Sequence, residues 1–232
     1  MERRALLIFA DSAHTDCQRR GWPATLRFLL ETQIFSFEGR TGVDVHLFTS
    51  RGLLPLPSCS CAVHIQEGVS FGQRLENAIG SLARSGYHEI VVIGRDCPDL
   101  EQTDICEAFE LIQENRLVIG PDHRGGCYLI GIHANDRKKL HGIRWQRNTD
   151  FRQILDRFGN QDICQLPVKL DLDSLRDVWL LARSQSQWKC IAKLLRNSLL
   201  NHWSLFGGTQ KISSIDDQRE YWQFPPPLTQ AS

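Results

Sequence analysis

Three aspartates that follow two separate apolar runs are the strongest candidates for chemistry in this chain. Asp96 stands two residues beyond the run EIVVIG, and Asp171 and Asp173 follow the run CQLPVK. In open α/β sheets, ligands bind at the carboxyl ends of the strands. Carboxylates from two strand ends can share one Mg²⁺ or Mn²⁺ ion, which prefers oxygen ligands and keeps waters or phosphates as its other ligands. The spacing therefore predicts a divalent metal site, with Pro98 stiffening the turn that presents Asp96.

Aspartates at such positions also have a simpler interpretation. An aspartate between a strand and a helix is a common N-cap, because its side chain accepts a hydrogen bond from a free backbone N–H of the first turn. Asp99 and Asp173 each stand at such a point. The spacing alone leaves both roles open.

A pair of glycines, Gly125 and Gly126, separates the apolar runs VIGP and CYLIGI. Glycines permit positive φ angles and let a ligand approach the backbone closely, which would suit the border of a substrate pocket. The same pair also forms a plain tight turn between two strands. The glycine pair by itself is consistent with both interpretations.

Alternating strands and helices must position these residues. Apolar periodicity and turn residues predict strands at 5–10, 43–50, 61–66, 89–94, 116–121, 126–132 and 164–170, and helices at 23–38, 70–86, 99–115, 149–159 and 174–184. A polar loop is expected at 11–21. This alternation predicts an α/β protein with a mostly parallel central sheet.

Composition and charge limit the classes of function. The chain has 232 residues and a formal net charge of zero, which disfavours a nucleic-acid-binding protein. No apolar run approaches the roughly 20 residues that span a bilayer. The eight cysteines are mostly scattered, so reduced thiols in a cytoplasmic protein are expected.

The pattern of apolar and polar residues changes near residue 184. An amphipathic helix is predicted within 187–203, followed by a polar, proline-rich tail. We therefore expect one α/β domain over 1–184 and a C-terminal helix and irregular tail over 185–232. The helix could dock on the domain, mediate a homodimer contact or lie on an anionic membrane surface.

Four blocks of the sequence, taken in order, resemble those of a bacterial protein family: VVIGRDCPDL, VIGPDHRGGCYLIGI, IRWQRNTDFRQIL and QLPVKLDLDSLRDVWLL. The family is DUF2064, also described as glycosyltransferase-A-like or as rSAM/selenodomain-associated transferase. The stretch SFGQRLENAI is similar to its Gly-x-Arg helix. The resemblance extends over residues 5–183 and is more specific than any single block.

The resemblance implies a three-layer α/β/α sandwich of the GT-A type, similar to nucleotide-diphospho-sugar transferases. It implies that Asp96 helps to hold a divalent ion, and that Asp171 and Asp173 form a D-x-D block, with Ser174 where threonine is usual. Asp96 and Asp173 are accordingly the predicted catalytic residues. A nucleotide or nucleotide-sugar is the implied substrate.

Two departures from the family pattern concern the groups that would bind phosphate. Where members carry a loop of the type K-x-P-x-x-G-x-x-K-T-R, this chain has FADSAHTDCQRRGWP, in which Arg19 and Arg20 are the remaining cations. Arg124 stands where the family has an aspartate. A guanidinium there could bind a phosphate, or it could mark a site no longer under catalytic demand.

The leading prediction is a metal-dependent glycosyl- or nucleotidyltransferase. Arg19, Arg20, Arg124, Gly125 and Gly126 would be its substrate-binding residues. The alternative is a non-catalytic GT-A-like binding or scaffold protein that has lost its phosphate-binding loop.

Overall fold

The computed structural model of the protein describes residues 3–11, 13–19, 43–50, 61–159 and 162–183. The predicted helix at 23–38, Arg20 and the predicted segment 185–232 lie outside these residues. Among the helices within them, none combines the length and the apolar character needed to cross a membrane.

The described strands form one seven-stranded sheet in the order β3-β2-β1-β4-β6-β5-β7. Their bounds are β1 Arg4–Phe9, β2 Asp44–Thr49, β3 Ala62–Ile65, β4 Glu89–Ile93, β5 Leu117–Pro121, β6 Cys127–His133 and β7 Ile163–Gln165. Strand β6 runs antiparallel to its neighbours β4 and β5, whereas the other pairs are parallel. The predicted mostly parallel sheet is confirmed.

Five α-helices and one 3₁₀ helix connect the described strands. The α-helices are α1 Ala13–Arg19, α2 Phe71–Arg84, α3 Gln102–Ile112, α4 Asp150–Phe158 and α5 Leu175–Arg183, and the 3₁₀ helix is Ala134–Leu140. Helix α1 lies where a polar loop was expected. So short a helix is marginal by itself, and it is held by tertiary contacts, since Asp16 and Cys17 are both buried.

Two apolar cores lie on opposite faces of the sheet. Strand side chains alternate between faces, so Leu7 of β1 packs with α2 and α4, whereas Leu6 packs with α3. Strands buried on both faces read as continuous apolar runs, as β1 and β4 do. The helices therefore cover both faces, and the predicted three-layer α/β/α arrangement is confirmed.

The geometry of the sheet brings several chain segments to one edge. Strands β1 and β4 are parallel neighbours, with Ile8 opposite Ile93, so the loops that follow them emerge side by side. Strand β6 runs the other way and begins at this edge, because Leu129 lies opposite Ile93. The turn before β6 therefore meets the loops after β1 and β4.

Candidate functional site

A cleft of about 500 Å³ opens at this carboxyl edge of the sheet. Among its described lining residues, the charged side chains are seven aspartates and four arginines: Asp11, Asp16, Asp96, Asp122, Asp150, Asp171, Asp173, Arg19, Arg74, Arg95 and Arg124. Such a lining suits a charged ligand better than an apolar one, because both cations and oxyanions find partners in it.

The two acidic segments predicted from the sequence meet in this cleft. The backbone N–H of Leu172, between Asp171 and Asp173, donates to the carbonyl oxygen of Asp96 at 2.7 Å. The Asp96 carboxylate folds back over Gly94, where a Cβ atom would lie 2.6 Å from Asp96 Oδ1. The lack of a side chain at Gly94, directly after β4, therefore leaves the space that the Asp96 carboxylate occupies.

Lys169 anchors the segment that carries Asp171 and Asp173. Its ammonium donates to Asp104 Oδ2 at 2.6 Å and to the carbonyl oxygen of Asp99 at 2.8 Å. Its own backbone N–H bonds to the carbonyl oxygen of Pro121. Because Asp99 and Asp104 follow Asp96 along the chain, these bonds fix the two acidic segments against each other.

The charges of the acids affect two cysteine thiols, the buried Cys97 and the partly buried Cys127. Burial raises the pKa of the Cys97 thiol well above its ordinary value, and the charges of Asp171 and Asp96 raise it further. Burial likewise raises the pKa of Cys127, with added effects of Asp150, Asp122 and Asp171. Asp171 therefore lies within electrostatic reach of both thiols, in a region of negative potential.

This donor set fits a hard divalent cation only in part. Carboxylate oxygens are the ligands that Mg²⁺ and Mn²⁺ prefer, and Mg²⁺ sites commonly use one or two carboxylates completed by waters and substrate phosphates. Within the described ranges, no group of three or more His, Cys, Asp or Glu side chains is arranged to hold a metal ion. A cation here would therefore depend on oxygen atoms from water or substrate.

The guanidinium of Arg124 is bound by carboxylates inside the protein. It donates to Asp177 Oδ1 at 2.6 Å and to Ser174 Oγ at 2.9 Å, and it lies 3.6 Å from Asp173 Oδ2. Burial alone would raise the pKa of Asp177, but hydrogen bonds from His123 and Ser174 and the charge of Arg124 bring it below its ordinary value. Arg124 thus neutralises a buried acid.

The Gly125–Gly126 pair forms a turn closed by Asp122. Asp122 Oδ1 accepts hydrogen bonds from the backbone N–H groups of Arg124 and Gly126. Gly125 has a φ of +96°, and a Cβ atom on it would lie 2.5 Å from the carbonyl oxygen of Asn148. A Cβ atom on Gly126 would meet the Asp122 carboxylate at 2.4 Å. Both glycines are required by the turn itself, and Gly126 also lines the cleft.

Helix α1 contributes an acid that binds two arginines. Asp16 accepts from Arg19 at 2.7 Å and from Arg95 at 3.1 Å, and Arg19 also lies 3.7 Å from Asp11. Arg19 is half exposed, whereas Arg95 is only 5% exposed. The predicted clamp Arg19 is in the cleft, but its charge is already matched by two carboxylates.

Four lining residues were missed by the sequence interpretation: Arg74, Arg95, Asp122 and Asp150. Arg95 lies within the block VVIGRDCPDL, directly before Asp96, and Arg74 lies within SFGQRLENAI. The position of Arg95 after a predicted strand and that of Arg74 near the start of a predicted helix could have indicated that both residues line the site. Asp150 starts α4 and accepts from the N–H groups of Gln146 and Arg147, while burial raises its pKa.

Part of the sequence matches a known protein family. Residues 42–147 match the pattern of the family described as "Uncharacterized protein conserved in bacteria (DUF2064)". The predicted resemblance to the DUF2064 family is thereby confirmed for this segment. The matched segment contains Asp96, Arg124 and the glycine turn. No curated protein matches this chain in sequence.

Several solved structures are similar to this chain and share its fold. One, from Desulfovibrio desulfuricans G20 and provisionally assigned as a nucleotide-diphospho-sugar transferase, has a TM-score of 0.72 at 23% identity, covering 88% of this chain and 99% of that one. The 4-diphosphocytidyl-2C-methyl-D-erythritol synthase of Anaerococcus prevotii has a TM-score of 0.58 at 8% identity, covering 77% and 96%.

A third similar structure is Rv0371C of Mycobacterium tuberculosis H37Rv in complex with manganese. Its TM-score is 0.50 at 13% identity, covering 78% of this chain and 99% of that one. At these identities, the likeness shows the fold. The predicted α/β fold of the nucleotide-diphospho-sugar transferase type is therefore confirmed.

Proposed function

We propose that this protein is a metal-dependent transferase that acts on a nucleotide or nucleotide-sugar. The observation that carries the proposal is the meeting of Asp96 with the segment Asp171–Asp173, fixed by the Leu172–Asp96 hydrogen bond at the carboxyl edge of the sheet. The transferase names of structures with the same fold support it. The manganese complex of one such structure supports the choice of cation.

Each side chain has a separate task in this proposal. Asp96, Asp171 and Asp173 would hold Mg²⁺ or Mn²⁺, and the ion, when bound, would neutralise charge on the substrate phosphates. The protein would contribute mainly positioning, since transfer of a nucleotidyl or glycosyl group requires the donor and acceptor to be held in line. Gly126 would border the space for the acceptor.

A non-catalytic binding or scaffold protein is the second candidate. Two of the predicted phosphate clamps, Arg19 and Arg124, are engaged by aspartates rather than directed to a ligand. Such engagement would be expected if the cleft no longer had to bind phosphate. The experiment below separates the two candidates.

Thermal unfolding in the presence of nucleotides tests the proposal. Nucleoside triphosphates and sugar nucleotides are added with Mn²⁺ or Mg²⁺, and the melting temperature is measured. We expect stabilisation by one nucleotide class only when the metal is present, because a ligand that binds the native state stabilises it by mass action. Asp96→Asn should abolish this stabilisation, since it removes a charged ligand but keeps the size of the side chain.

Asp156→Asn is the matched control. Asp156 lies outside the cleft lining, is 64% exposed and forms a surface pair with Arg152, so its loss should leave the nucleotide effect unchanged. If no nucleotide stabilises the wild-type protein with either metal, the transferase proposal is wrong and the scaffold function is favoured.

The products of turnover would identify the reaction. Pyrophosphate release from a nucleoside triphosphate indicates nucleotidyl transfer, whereas release of a nucleoside diphosphate from a sugar nucleotide indicates glycosyl transfer. The cytoplasmic location and the contacts proposed for residues 185–232 stay predictions.

A further inference from the structure

Three buried N–H donors in the cleft have no hydrogen-bond acceptor among the described residues. They are Arg74 Nε, Arg95 Nε and Trp145 Nε1, and all three residues line the cleft. Burying a donor without an acceptor costs free energy, and such groups are rare in native proteins. The concentration of three of them in one cleft calls for a ligand that supplies acceptors.

Arg95 is a cation built into the end of the sheet. Its side chain is 5% exposed, and the acceptor that the structure gives it is Asp16 Oδ2, which one terminal nitrogen reaches at 3.1 Å. The Nε–H is buried and has no acceptor within the described part of the chain. A guanidinium has five donors in a fixed plane, so the single carboxylate leaves part of its donor set available.

Arg74 and Trp145 come together at the start of α2. A Cβ atom on Gly72 would lie 2.8 Å from Trp145 Cδ1, so the indole packs directly against this first turn, two residues before Arg74. Unlike the other three cleft arginines, Arg74 has no carboxylate partner in the described part of the chain. Its charge is available to a ligand in the cleft.

The chemistry of the ligand follows from these donors together with the acids opposite. The unpaired groups are N–H donors, two of them on cations, which calls for an oxyanion rather than a neutral sugar hydroxyl alone. A guanidinium matches the geometry of phosphate oxygens. The carboxylates Asp96 and Asp171 in the same cleft would repel a bare phosphate, and a divalent cation between them and the phosphate would remove that repulsion.

We propose that Arg95 and Arg74, together with the Trp145 N–H, bind the phosphate groups of the substrate in this cleft. Arg19 and Arg124 then have structural roles, because their charges are used by Asp16, Asp173 and Asp177. The inference rests on the proposed transferase function for the nature of the ligand, but the donors and their lack of acceptors are independent of the metal site.

Binding of inorganic tripolyphosphate, measured by isothermal titration calorimetry, tests the inference without a nucleotide. Titrations are made at constant ionic strength, with and without Mn²⁺. Wild-type protein should bind, and Arg95→Gln and Arg74→Gln should each weaken binding by about 10- to 100-fold, as expected for loss of charge-assisted hydrogen bonds. Trp145→Phe should weaken tripolyphosphate binding less, because it removes one neutral N–H donor and keeps an aromatic side chain.

Arg152→Gln is the matched control, since Arg152 is 80% exposed and lies outside the cleft lining. Arg95→Gln leaves Asp16 with Arg19 alone, and circular dichroism shows whether that variant folds. Arg74→Gln breaks no described ion pair, so it keeps the test valid if Arg95→Gln does not fold. Equal affinity of wild-type and Arg74→Gln proteins, or no binding by wild type, would overturn the inference.

The outcome also separates this inference from the transferase proposal. If Mn²⁺ with a nucleotide stabilises Arg95→Gln and Arg74→Gln as much as wild type, the phosphate assignment fails and the transferase proposal stands. If tripolyphosphate binding depends on both arginines but no nucleotide binds with metal, the phosphate assignment stands and the transferase proposal fails.

Discussion

At the scale of single residues, Asp177 decides what Arg124 can do. Asp177 is fully buried and accepts bonds from the backbone N–H groups of Asp173 and Ser174 as well as from the guanidinium. A buried carboxylate requires such a partner, because loss of hydration is offset only by a close cation and several hydrogen bonds. The cation that could have faced a phosphate is thereby used within the fold.

Asp177→Asn should lower the free energy of unfolding by about 3 kcal/mol at pH 7, because it removes the buried carboxylate that neutralises the partly buried guanidinium of Arg124. The pKa of Asp177 is lowered in the folded protein, so its contribution is present above the unfolded value of about 3.9 and is lost as pH falls through the folded value. Urea unfolding at pH 7 and at successively lower pH measures this. A difference between wild type and variant that does not shrink below about pH 4 would contradict the assignment.

Asp150→Asn should change the free energy of unfolding in the opposite direction. Burial raises the pKa of Asp150, so the native state holds its proton to higher pH than the unfolded state does, and stability falls as pH rises above about 4. The amide keeps an acceptor for the backbone N–H groups of Gln146 and Arg147 and removes the buried charge. We expect a small gain in the free energy of unfolding at pH 7 that vanishes near pH 4; a loss at pH 7 would show that the charge is needed.

At the scale of elements, the turn before β6 depends on the lack of a side chain at Gly125. Gly125→Ala should cost about 1–3 kcal/mol for its positive φ, and more for the contact with the Asn148 carbonyl oxygen. Gly159→Ala is the matched control, since Gly159 has a φ of +78° and no atom of the described residues lies within 4 Å of an added Cβ atom. Chemical unfolding should show the larger loss at Gly125, and equal losses would mean that the turn relaxes without strain.

The β2–β3 pair carries an acid-sensitive contact between two histidines. His46 Nδ1 lies 3.0 Å from His64 Nε2. Burial lowers the pKa of both side chains, and the charge of His64 lowers that of His46 further, against the opposite effect of Asp44. Because the folded pKa values lie below the unfolded value of about 6.5, the stability of this pair is lost as pH falls below about 6.5.

His64→Gln should therefore reduce the fall in melting temperature between pH 7 and pH 5. Arg3 and Tyr87 also face His46 and are kept in this variant. His141→Gln removes a histidine that is 81% exposed and serves as the control. A pH dependence unchanged by His64→Gln would show that protonation is accommodated without loss of the strand pair.

At the scale of the whole molecule, a neutral chain concentrates acidic groups at one edge of its sheet. Seven aspartates against four arginines leave the described lining of the cleft negative, although the formal net charge of the chain is zero. Mn²⁺ at about 100 times its dissociation constant should stabilise the protein by about 2.7 kcal/mol. For a chain of this length, that corresponds to a rise of about 5–10 °C in melting temperature.

Asp171→Asn should remove most of this rise, because Asp171 is a buried carboxylate that lines the cleft. Differential scanning calorimetry with and without Mn²⁺ measures it, and Asp156→Asn again is the control. A full rise in the Asp171→Asn protein would place the cation elsewhere.

The sequence by itself determined the layer architecture and the edge of the sheet at which the acids lie. Apolar runs such as those of β1 and β4 indicate buried strands when they alternate with helices, and the acids that follow parallel strands emerge at one edge. These properties are local and periodic, so Asp96, Asp171 and Asp173 could be placed from spacing alone. The strand order and the antiparallel direction of β6 do not follow from the apolar periodicity of the sequence.

Only the tertiary structure decided which charges meet. Arg124 was a candidate phosphate ligand until its contact with Asp177, 53 residues away, was known. Helix α1 forms where a loop was expected because Asp16 binds Arg95. Long-range ion pairs leave no periodic trace in a sequence, since they depend on where separate loops converge. For the same reason, the buried donors of Arg74 and Arg95 could be identified only from the positions of the acceptors among the described residues.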